Sequence, residues 1–144
     1  LIGSRRLETI NQAVQQLNGQ GTEEQVAGTQ LDVTSEDSVQ AAVDLAVQSF
    51  GRLDILVNCA GIPLRKPLLE LEAEEFNHIH NVHATGALRC AQAAARTFIP
   101  QGGGSIILIA SLTSFVDALE VAAYAAAKSA VLGLTRSCAN EWAK

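Results

Sequence analysis

The chain has 144 residues and a formal net charge of −5, from 10 basic and 15 acidic side chains. Hydrophobic residues make up 48% of it, which is ordinary for a globular protein with one hydrophobic core. The acidic balance, with no basic stripe, argues against a nucleic-acid-binding or membrane-surface protein. No apolar run is long enough to span a membrane, and we expect a cytoplasmic protein.

Apolar spacing predicts strands and helices that alternate along the chain. Turn residues separate the predicted elements. In chain order these are a strand end at residues 1–3, a helix at 7–17, a turn at 18–21, a strand at 26–33, a helix at 34–50, a strand at 53–58, a loop at 62–70, a helix at 73–98, a turn at 102–104, a strand at 105–111 and a helix at 121–142.

Two of these elements carry more detailed predictions. Thr34 is expected to begin a capping box with Asp37 at the start of its helix. Residues 53–58, with the sequence LDILVN, form a near-continuous apolar run, which predicts a strand buried on both faces.

The alternation predicts an α/β fold with a doubly wound parallel sheet and helices on both faces, giving three layers. We expect residues 1–144 to form a single domain. The chain starts at Leu1 without Met or a charged leader, and we interpret it as part of a longer protein.

Three cysteines, Cys59, Cys90 and Cys138, are widely spaced along the chain. They match no zinc-binding pattern, and their odd number argues against a disulfide framework. We therefore expect buried free thiols and no metal site.

Ligands of such folds bind beyond the carboxyl ends of the strands, so the residues that follow each strand are the candidates for a site. Four groups stand there: Ser4 and Arg5, Asp32 and Val33, Asn58 to Gly61, and Ser111.

Tyr124 and Lys128 lie four residues apart on a predicted helix, which places them on one face. A nearby ammonium stabilises a phenolate, so the pair makes Tyr124 a candidate general acid or base. The alternative is an ordinary surface pair. Ser111 ends a strand thirteen residues before Tyr124, where its hydroxyl could stabilise charge on a substrate oxygen. It could instead only satisfy backbone groups at the strand end.

The small residues of Asn58-Cys59-Ala60-Gly61 would let a ligand approach the backbone closely, although an ordinary turn also explains them. Asp32 could accept a hydrogen bond from an adenine amino group or act as an acid near a helix start.

Together the DV pair at Asp32, the NCAG sequence, the strand-end serine and the YxxxK helix resemble the short-chain dehydrogenase/reductase family, over essentially the whole chain. The tail ANEWA at 139–143 resembles members acting on gluconate or deoxygluconate. The resemblance implies a Rossmann-type dinucleotide-binding domain, partial and incomplete at both ends of this chain. The family's glycine-rich TGxxxGxG turn, which cradles the pyrophosphate, has no match here, so we expect the fragment itself to be inactive.

The resemblance implies a hydride transfer between a nicotinamide cofactor and a carbonyl or secondary alcohol. Tyr124 would give or take the proton, Ser111 would hold the substrate oxygen, and Lys128 would support Tyr124 and bind the nicotinamide ribose. The remaining cofactor contacts would come from residues that follow the strands: Asp32 and Val33 beside the adenine, and Asn58, Ala60 and Gly61 along the cofactor channel.

Ser4 and Arg5 bear on cofactor preference. NAD-binding relatives usually carry an acidic residue where Ser4 stands, to hold the ribose 2′-hydroxyl. That carboxylate is absent here, and the Arg5 guanidinium suits a 2′-phosphate. The sequence therefore favours NADP(H) over NAD(H), unless Arg5 and Arg6 are simply solvated residues at a helix start.

His83 is a departure from the family pattern. Many relatives carry a catalytic Asn three residues before a glycine of the long helix, and counting back from Gly86 gives His83. An imidazole can donate and accept protons, so we expect His83 to serve in the proton relay, with a packed structural histidine as the alternative.

Substrates and partners are also implied by the resemblance. We favour a sugar acid or polyol as substrate, with a 3-oxoacyl or general carbonyl reductase, or a non-catalytic cofactor-binding relative, as alternatives. Relatives form dimers and tetramers through the helices at 73–98 and 121–142, so a homodimer or homotetramer is expected. No nucleic acid or membrane partner is expected.

Overall fold

The computed structural model of the chain describes residues 1–19 and 26–143. Its elements alternate as predicted. They are β1 (Ile2–Ser4), α1 (Leu7–Asn18), β2 (Gly28–Gln30), α2 (Glu36–Phe50), β3 (Ile55–Asn58), a 3-10 turn (Leu68–Glu70), α3 (Ala73–His80), a π-helical turn (Asn81–Thr85), α4 (Gly86–Gln101), β4 (Ser105–Leu108), a second 3-10 turn (Leu112–Ser114) and α5 (Ala122–Trp142). The chain divides into two compact units, Leu1–Leu53 and Asp54–Lys144.

The first unit pairs β1 and β2 in parallel, with Ile2 opposite Gly28. Gly28 lets α1 approach the strand closely, because a Cβ atom there would lie 2.2 Å from Cγ2 of Ile10. Ile10 is buried, as expected for the apolar face of a helix that covers a sheet.

The second predicted strand is shorter than expected. It covers Gly28–Gln30 instead of residues 26–33, because Val26 bonds to the end of α1. The side chain of Asn18 accepts from Val26 N at 3.0 Å and donates to Val26 O at 3.2 Å. The predicted turn at 18–21 begins as expected after Asn18, and its residues Gln20 and Gly21 lie outside the described part of the chain.

The capping box predicted at Thr34 is wrong by one residue. Ser35 is the N-cap of α2, and its hydroxyl accepts from Ser38 N at 3.2 Å. The Thr34 hydroxyl is engaged elsewhere, since it donates to Oδ1 of Asp32 at 2.7 Å. An N-cap side chain accepts a hydrogen bond from a backbone N–H of the first helical turn, and here Ser35 takes that position instead of Thr34.

The second unit pairs β3 with β4 in parallel, with Ile55 opposite Ser105. The prediction that the strand at 53–58 is buried on both faces is wrong for the described chain. Ile55 and Val57 are 59% and 52% exposed, whereas Asn58 is buried. Successive side chains of a strand point to opposite faces, and α4 packs against this two-stranded sheet.

The helix predicted at 73–98 is interrupted. A capping box of Glu72 and Glu75 starts α3, and a π-helical turn separates α3 from α4. Such a turn inserts one extra residue into a helix and is frequent at functional sites.

Small side chains allow α5 to pack tightly within the second unit. Ala123 and Ala127 are buried against Ile79 of α3. Four partly buried apolar residues pack around this cluster: Ile62, Leu64, Leu71 and Phe76. Within the described residues, no helix is both long and apolar enough to cross a membrane.

Candidate active site

Helix α5 presents Tyr124 and Lys128 one turn apart, as the YxxxK spacing predicts. The Lys128 ammonium lies 5.8 Å from the centre of the Tyr124 ring. Lys128 is only 5% exposed, and its Nζ donates to the backbone oxygen of Ile109 at 2.6 Å. Burial lowers the pKa of Lys128, and the nearby Cys59 opposes that shift in part. An ammonium has three donor protons, so Lys128 can still donate to a ligand.

Tyr124 and Lys128 line a cavity of about 460 Å³ in the second unit. This volume lies within the range of small-molecule sites. Its other lining residues come from the segment after β3, the π-helical turn, the end of β4 and the start of α5: Cys59, Gly61, Ile62, Pro63, Leu64, Arg65, His83, Ile109 and Val121. No carboxylate is among the described residues that line it.

His83 also lines this cavity and contacts Tyr124 directly. The two rings meet edge to face, with their centres 5.2 Å apart. His83 is 3% exposed, and Nε2 lies 3.0 Å from Ile62 N and 2.9 Å from Ile62 O. The other ring nitrogen, Nδ1, is buried and has no hydrogen-bond partner among the described residues. His83 therefore fastens the segment after β3 to the π-helical turn.

The charge state of His83 follows from this environment. Burial lowers its pKa most, a hydrogen bond that the imidazole donates to the backbone oxygen of Ile62 opposes the shift, and the positive charge of Lys128 lowers the pKa further. The imidazole is therefore neutral at neutral pH, with one nitrogen held by Ile62.

Gly61 has a packing role that the sequence does not reveal. A Cβ atom at this position would lie 2.5 Å from Cε1 of His83, so only glycine leaves room for the imidazole ring. Gly61 was expected to let a ligand approach the backbone closely. In the structure it also leaves room for the side chain of His83, which belongs to the same unit.

Ser111 lies three residues after the end of β4 and is not among the residues that line the cavity. Its hydroxyl caps the 3-10 turn that follows, accepting from Thr113 N at 3.2 Å and from Thr113 Oγ1 at 3.0 Å. The strand itself ends at Leu108, three residues earlier than predicted. The backbone-capping alternative for Ser111 is thus realised, and its own hydroxyl proton remains available to a ligand.

Asn58 and Ala60 form the turn that leads from β3 to the cavity. Oδ1 of Asn58 accepts from Ala60 N at 3.1 Å, and Asn58 is buried. The backbone oxygen of Asn58 accepts from Ile109 N at 3.1 Å, so this turn is joined to the end of β4. Cys59 between them is exposed, which corrects the expectation of buried thiols.

The other two cysteines are free as well; Cys90 is buried as expected, whereas Cys138 is only partly buried. Burial raises the pKa of the Cys90 thiol to about 11. No group of three or more metal-ligating side chains occurs in the described part of the chain.

The candidate cofactor residues of the first unit follow β1 and β2. The Ser4 hydroxyl accepts from Arg6 N at 3.5 Å. Arg5 is exposed, and its guanidinium has no hydrogen-bond or ionic partner among residues 1–19 and 26–143. A hydroxyl on one residue and a guanidinium on the next are donors of the kind that can hold a phosphate monoester.

Asp32 and Val33 form a tight turn after β2. Oδ1 of Asp32 accepts from Thr34 N at 2.9 Å as well as from the Thr34 hydroxyl. Asp32 N donates to the Ser38 hydroxyl at 3.0 Å, and Val33 is buried. The turn is therefore built by its own side chains before any ligand binds.

Arg65 and Ile62 line the cavity as well, although neither was predicted as a site residue from the sequence. Both lie in the segment assigned as a loop at 62–70, directly after NCAG. Their place after a strand end was a usable indication, because ligands bind there in folds of this class.

An α/β chain with a partly buried Tyr124 and a buried Lys128 on the wall of one cavity defines the class of protein to compare, and comparison with known sequences identifies the family. The family model described as short chain dehydrogenase matches residues 1–144, so the chain belongs to that family. The resemblance and the α/β fold predicted from the sequence are thereby confirmed.

Individual relatives agree with this assignment. The chain is 45% identical over 114 residues to 2-dehydro-3-deoxy-D-gluconate 5-dehydrogenase of Escherichia coli (strain K12), covering 78% of this chain and 45% of that protein. A short chain dehydrogenase from Mycobacterium smegmatis has a TM-score of 0.95 and 34% identity, covering 99% of this chain and 59% of that one.

A gluconate 5-dehydrogenase from Burkholderia cenocepacia J2315, solved in complex with NADP and tartrate, has a TM-score of 0.89. It is 34% identical, and the match covers 99% of this chain and 55% of that one. The chain thus spans about half the length of the relatives it matches.

Proposed function

We propose that the full-length protein is an oxidoreductase that transfers a hydride between NADP(H) and the carbonyl or secondary alcohol of a sugar acid or polyol. The observation that carries this proposal is the Tyr124-Lys128 pair on the wall of a 460 Å³ cavity. Relatives named for gluconate and deoxygluconate support the substrate class.

Tyr124 is proposed to give a proton to the carbonyl oxygen during reduction and to remove it from the alcohol during oxidation. The Lys128 ammonium lies 5.8 Å from the centre of the Tyr124 ring, on the wall of the same cavity. The cofactor supplies or accepts the hydride when it is bound. The two remaining protons of the Lys128 ammonium are suited to hydroxyl groups of its ribose.

Ser111 is proposed to donate its hydroxyl proton to the substrate oxygen. Because Thr113 donates to the same Oγ twice, the Ser111 proton is directed away from the turn. Such a donor stabilises negative charge that develops on the oxygen in the transition state. Asn58, Ala60 and Gly61 are proposed to line the cofactor channel, with Gly61 also seating His83.

The role of His83 is proposed as support of the site more than as a proton relay. A neutral imidazole with Nε2 held by Ile62 has only Nδ1 to exchange protons, and that nitrogen is buried. Its edge contact with Tyr124 limits the positions that the phenol ring can adopt.

NADP(H) is proposed as the preferred cofactor, with Ser4, Arg5, Asp32 and Val33 at the adenosine end. The Arg5 guanidinium, which has no partner among the described residues, supports a 2′-phosphate, and one relative was solved with NADP. We propose further that residues 1–144 belong to one dinucleotide-binding domain. The protein is proposed to form a homodimer or homotetramer through the 73–98 and 121–142 regions.

The test is turnover by the full-length protein and by its Tyr124→Phe variant, with NADPH and NADH as cofactors. We expect Y124F to keep its fold and to bind NADPH, while kcat falls by at least about 100-fold, the usual share of a general acid. A variant that turns over like the wild type would refute the catalytic role. Tight NADPH binding without turnover of any sugar acid or polyol would favour a non-catalytic cofactor-binding protein.

A further inference from the structure

The segment from Ile62 to Lys66 is held at both ends. At its start, the backbone of Ile62 is bound to Nε2 of His83. At its end, Lys66 N donates to the backbone oxygen of Glu120 at 2.8 Å. Glu120 has a φ of 65°, a left-handed conformation that non-glycine residues adopt only when the surrounding structure enforces it. Glu120 lies just before α5, so the segment is fixed relative to the helix that carries Tyr124.

Alternating exposure along this segment determines which side chains are available. Ile62 and Leu64 are partly buried against the Ile79, Ala123 and Ala127 cluster, whereas Pro63 and Arg65 are exposed. Arg65 nevertheless lines the cavity that contains Tyr124. It is therefore an exposed guanidinium at the cavity wall, on a backbone that packing holds in place.

The charged groups around Arg65 have different partners. Lys66 is paired with Glu75, with Nζ 2.8 Å from Oε2. In the cavity, the Lys128 ammonium donates one hydrogen bond to the backbone oxygen of Ile109. Arg65 forms no hydrogen bond or ion pair with any residue of the described part of the chain. All five of its N–H donors are free for a ligand.

We infer that Arg65 binds the carboxylate of the substrate, so that the protein selects a sugar acid over an uncharged polyol. This inference rests on the proposed function, because it names the residue that binds the carboxylate end of the proposed substrate. The guanidinium presents parallel N–H groups that match the two oxygens of a carboxylate. No acidic side chain among the described residues lines the cavity to compete for it.

The test compares gluconate with gluconamide, which differ only in the charged group, in the full-length protein. We expect the wild type to prefer gluconate. In the Arg65→Met variant, kcat/KM for gluconate should fall by about 10- to 100-fold, the effect of losing a charged hydrogen bond, with little change for gluconamide. Arg65→Lys keeps the positive charge and loses the planar guanidinium. Its kcat/KM for gluconate should lie between the values for the wild type and for R65M.

Lys66→Met is the matched control, since it removes the neighbouring cation whose side chain is paired with Glu75. The ratio of kcat/KM for the acid to that for the amide should remain at the wild-type value. An unchanged ratio in R65M, or an equal change in R65M and K66M, would overturn the inference. A hexose phosphate used better than gluconate would overturn it too, because it would assign the guanidinium to a phosphate.

Equilibrium binding separates this inference from the proposed reaction. Gluconate binding to the wild type and to R65M is measured by calorimetry, independently of turnover. Weaker binding to R65M supports the carboxylate site even if no substrate is turned over, which would count against the reaction alone. No binding of gluconate to the wild type, or equal affinity of the two proteins, refutes the site whatever the activity is.

Discussion

A single nitrogen of His83, Nε2, lies within hydrogen-bonding distance of both the N–H and the C=O of Ile62, at 3.0 and 2.9 Å. A neutral imidazole can use that nitrogen as a donor or as an acceptor, but not as both. One of the two Ile62 groups is therefore left without this partner in either tautomer. An asparagine amide carries a donor and an acceptor on one side chain and can satisfy the two groups together.

His83→Asn is expected to fold and to keep turnover in the full-length protein, because the amide retains the bonds to Ile62. His83→Ala removes them and leaves a cavity beside Tyr124, so it should lower the free energy of unfolding by about 1–3 kcal/mol and reduce kcat. Chemical denaturation and steady-state kinetics measure both effects. Equal loss of kcat in the two variants, at unchanged stability, would instead support a proton-relay role for His83.

Acid should destabilise the fold partly through His83. Burial holds its pKa below the ordinary value in the folded protein, so the unfolded chain binds the proton more readily. Its stabilising contribution is complete above a pH of about 6.5 and is lost as the pH falls through the folded-state pKa. His80 shifts in the same direction because of burial. Unfolding free energies between about pH 7 and 5 should fall less in H83N than in the wild type.

Lys128 should make the stability of the fold depend on pH in the alkaline range. Burial lowers its pKa in the folded protein, so the unfolded chain holds the proton more tightly. Stability should then rise as the pH increases toward about 10.5, the ordinary lysine value. Lys128→Met removes this dependence and should abolish turnover. A wild type and a K128M variant with parallel stability curves between about pH 8 and 10 would contradict the burial argument.

Gly61→Ala should disturb the site by steric overlap. The added methyl group would lie 2.5 Å from Cε1 of His83, and displacing the ring should cost about 1–3 kcal/mol of stability and lower kcat. Gly133→Ala in α5 is the matched control, because nothing lies within 4 Å of a Cβ atom there. It should stabilise the protein by about 0.5–1 kcal/mol through helix propensity. Thermal denaturation should therefore show a lower melting temperature for Gly61→Ala and a higher one for Gly133→Ala.

Cofactor preference tests the first unit. Arg5→Met should reduce kcat/KM for NADPH by about tenfold or more, corresponding to 1.4 kcal/mol of lost binding to the 2′-phosphate, and leave that for NADH nearly unchanged. Arg6→Met changes the neighbouring residue in the same way and should have little effect on either cofactor. If the wild type used NADH as well as NADPH, the assignment of Arg5 to the phosphate would be wrong.

The sequence predicted those features that depend on regular spacing. Tyr124 and Lys128 share a helix face because four residues make about one turn, and the alternating elements were placed in the correct order. The break in the helix at 73–98 was not visible, because apolar residues continue on both sides of the π-helical turn. The choice of Ser35 over Thr34 as N-cap depends on where the chain turns, which neighbouring hydroxyl residues do not reveal.

The candidate site was predictable only in part, for a related reason. His83 was singled out by its distance from Gly86, and it does line the cavity with Tyr124. Its bonds to Ile62 bridge residues 21 positions apart, and no local pattern predicts them. Arg65 resembles any solvated arginine in sequence. Only the two backbone attachments of its segment bring it to the cavity wall.

The π-helical turn has a consequence for how this region tolerates insertions and deletions. Each residue of an α-helix advances about 100° around the axis, so removing one residue from Asn81–Thr85 would restore a regular helix only by rotating one half against the other. Either His83 would leave the cavity, or the buried alanines of α4 would leave their packing. A change in the length of this stretch is therefore transmitted along the whole helix, whereas a substitution leaves the register of both halves unchanged.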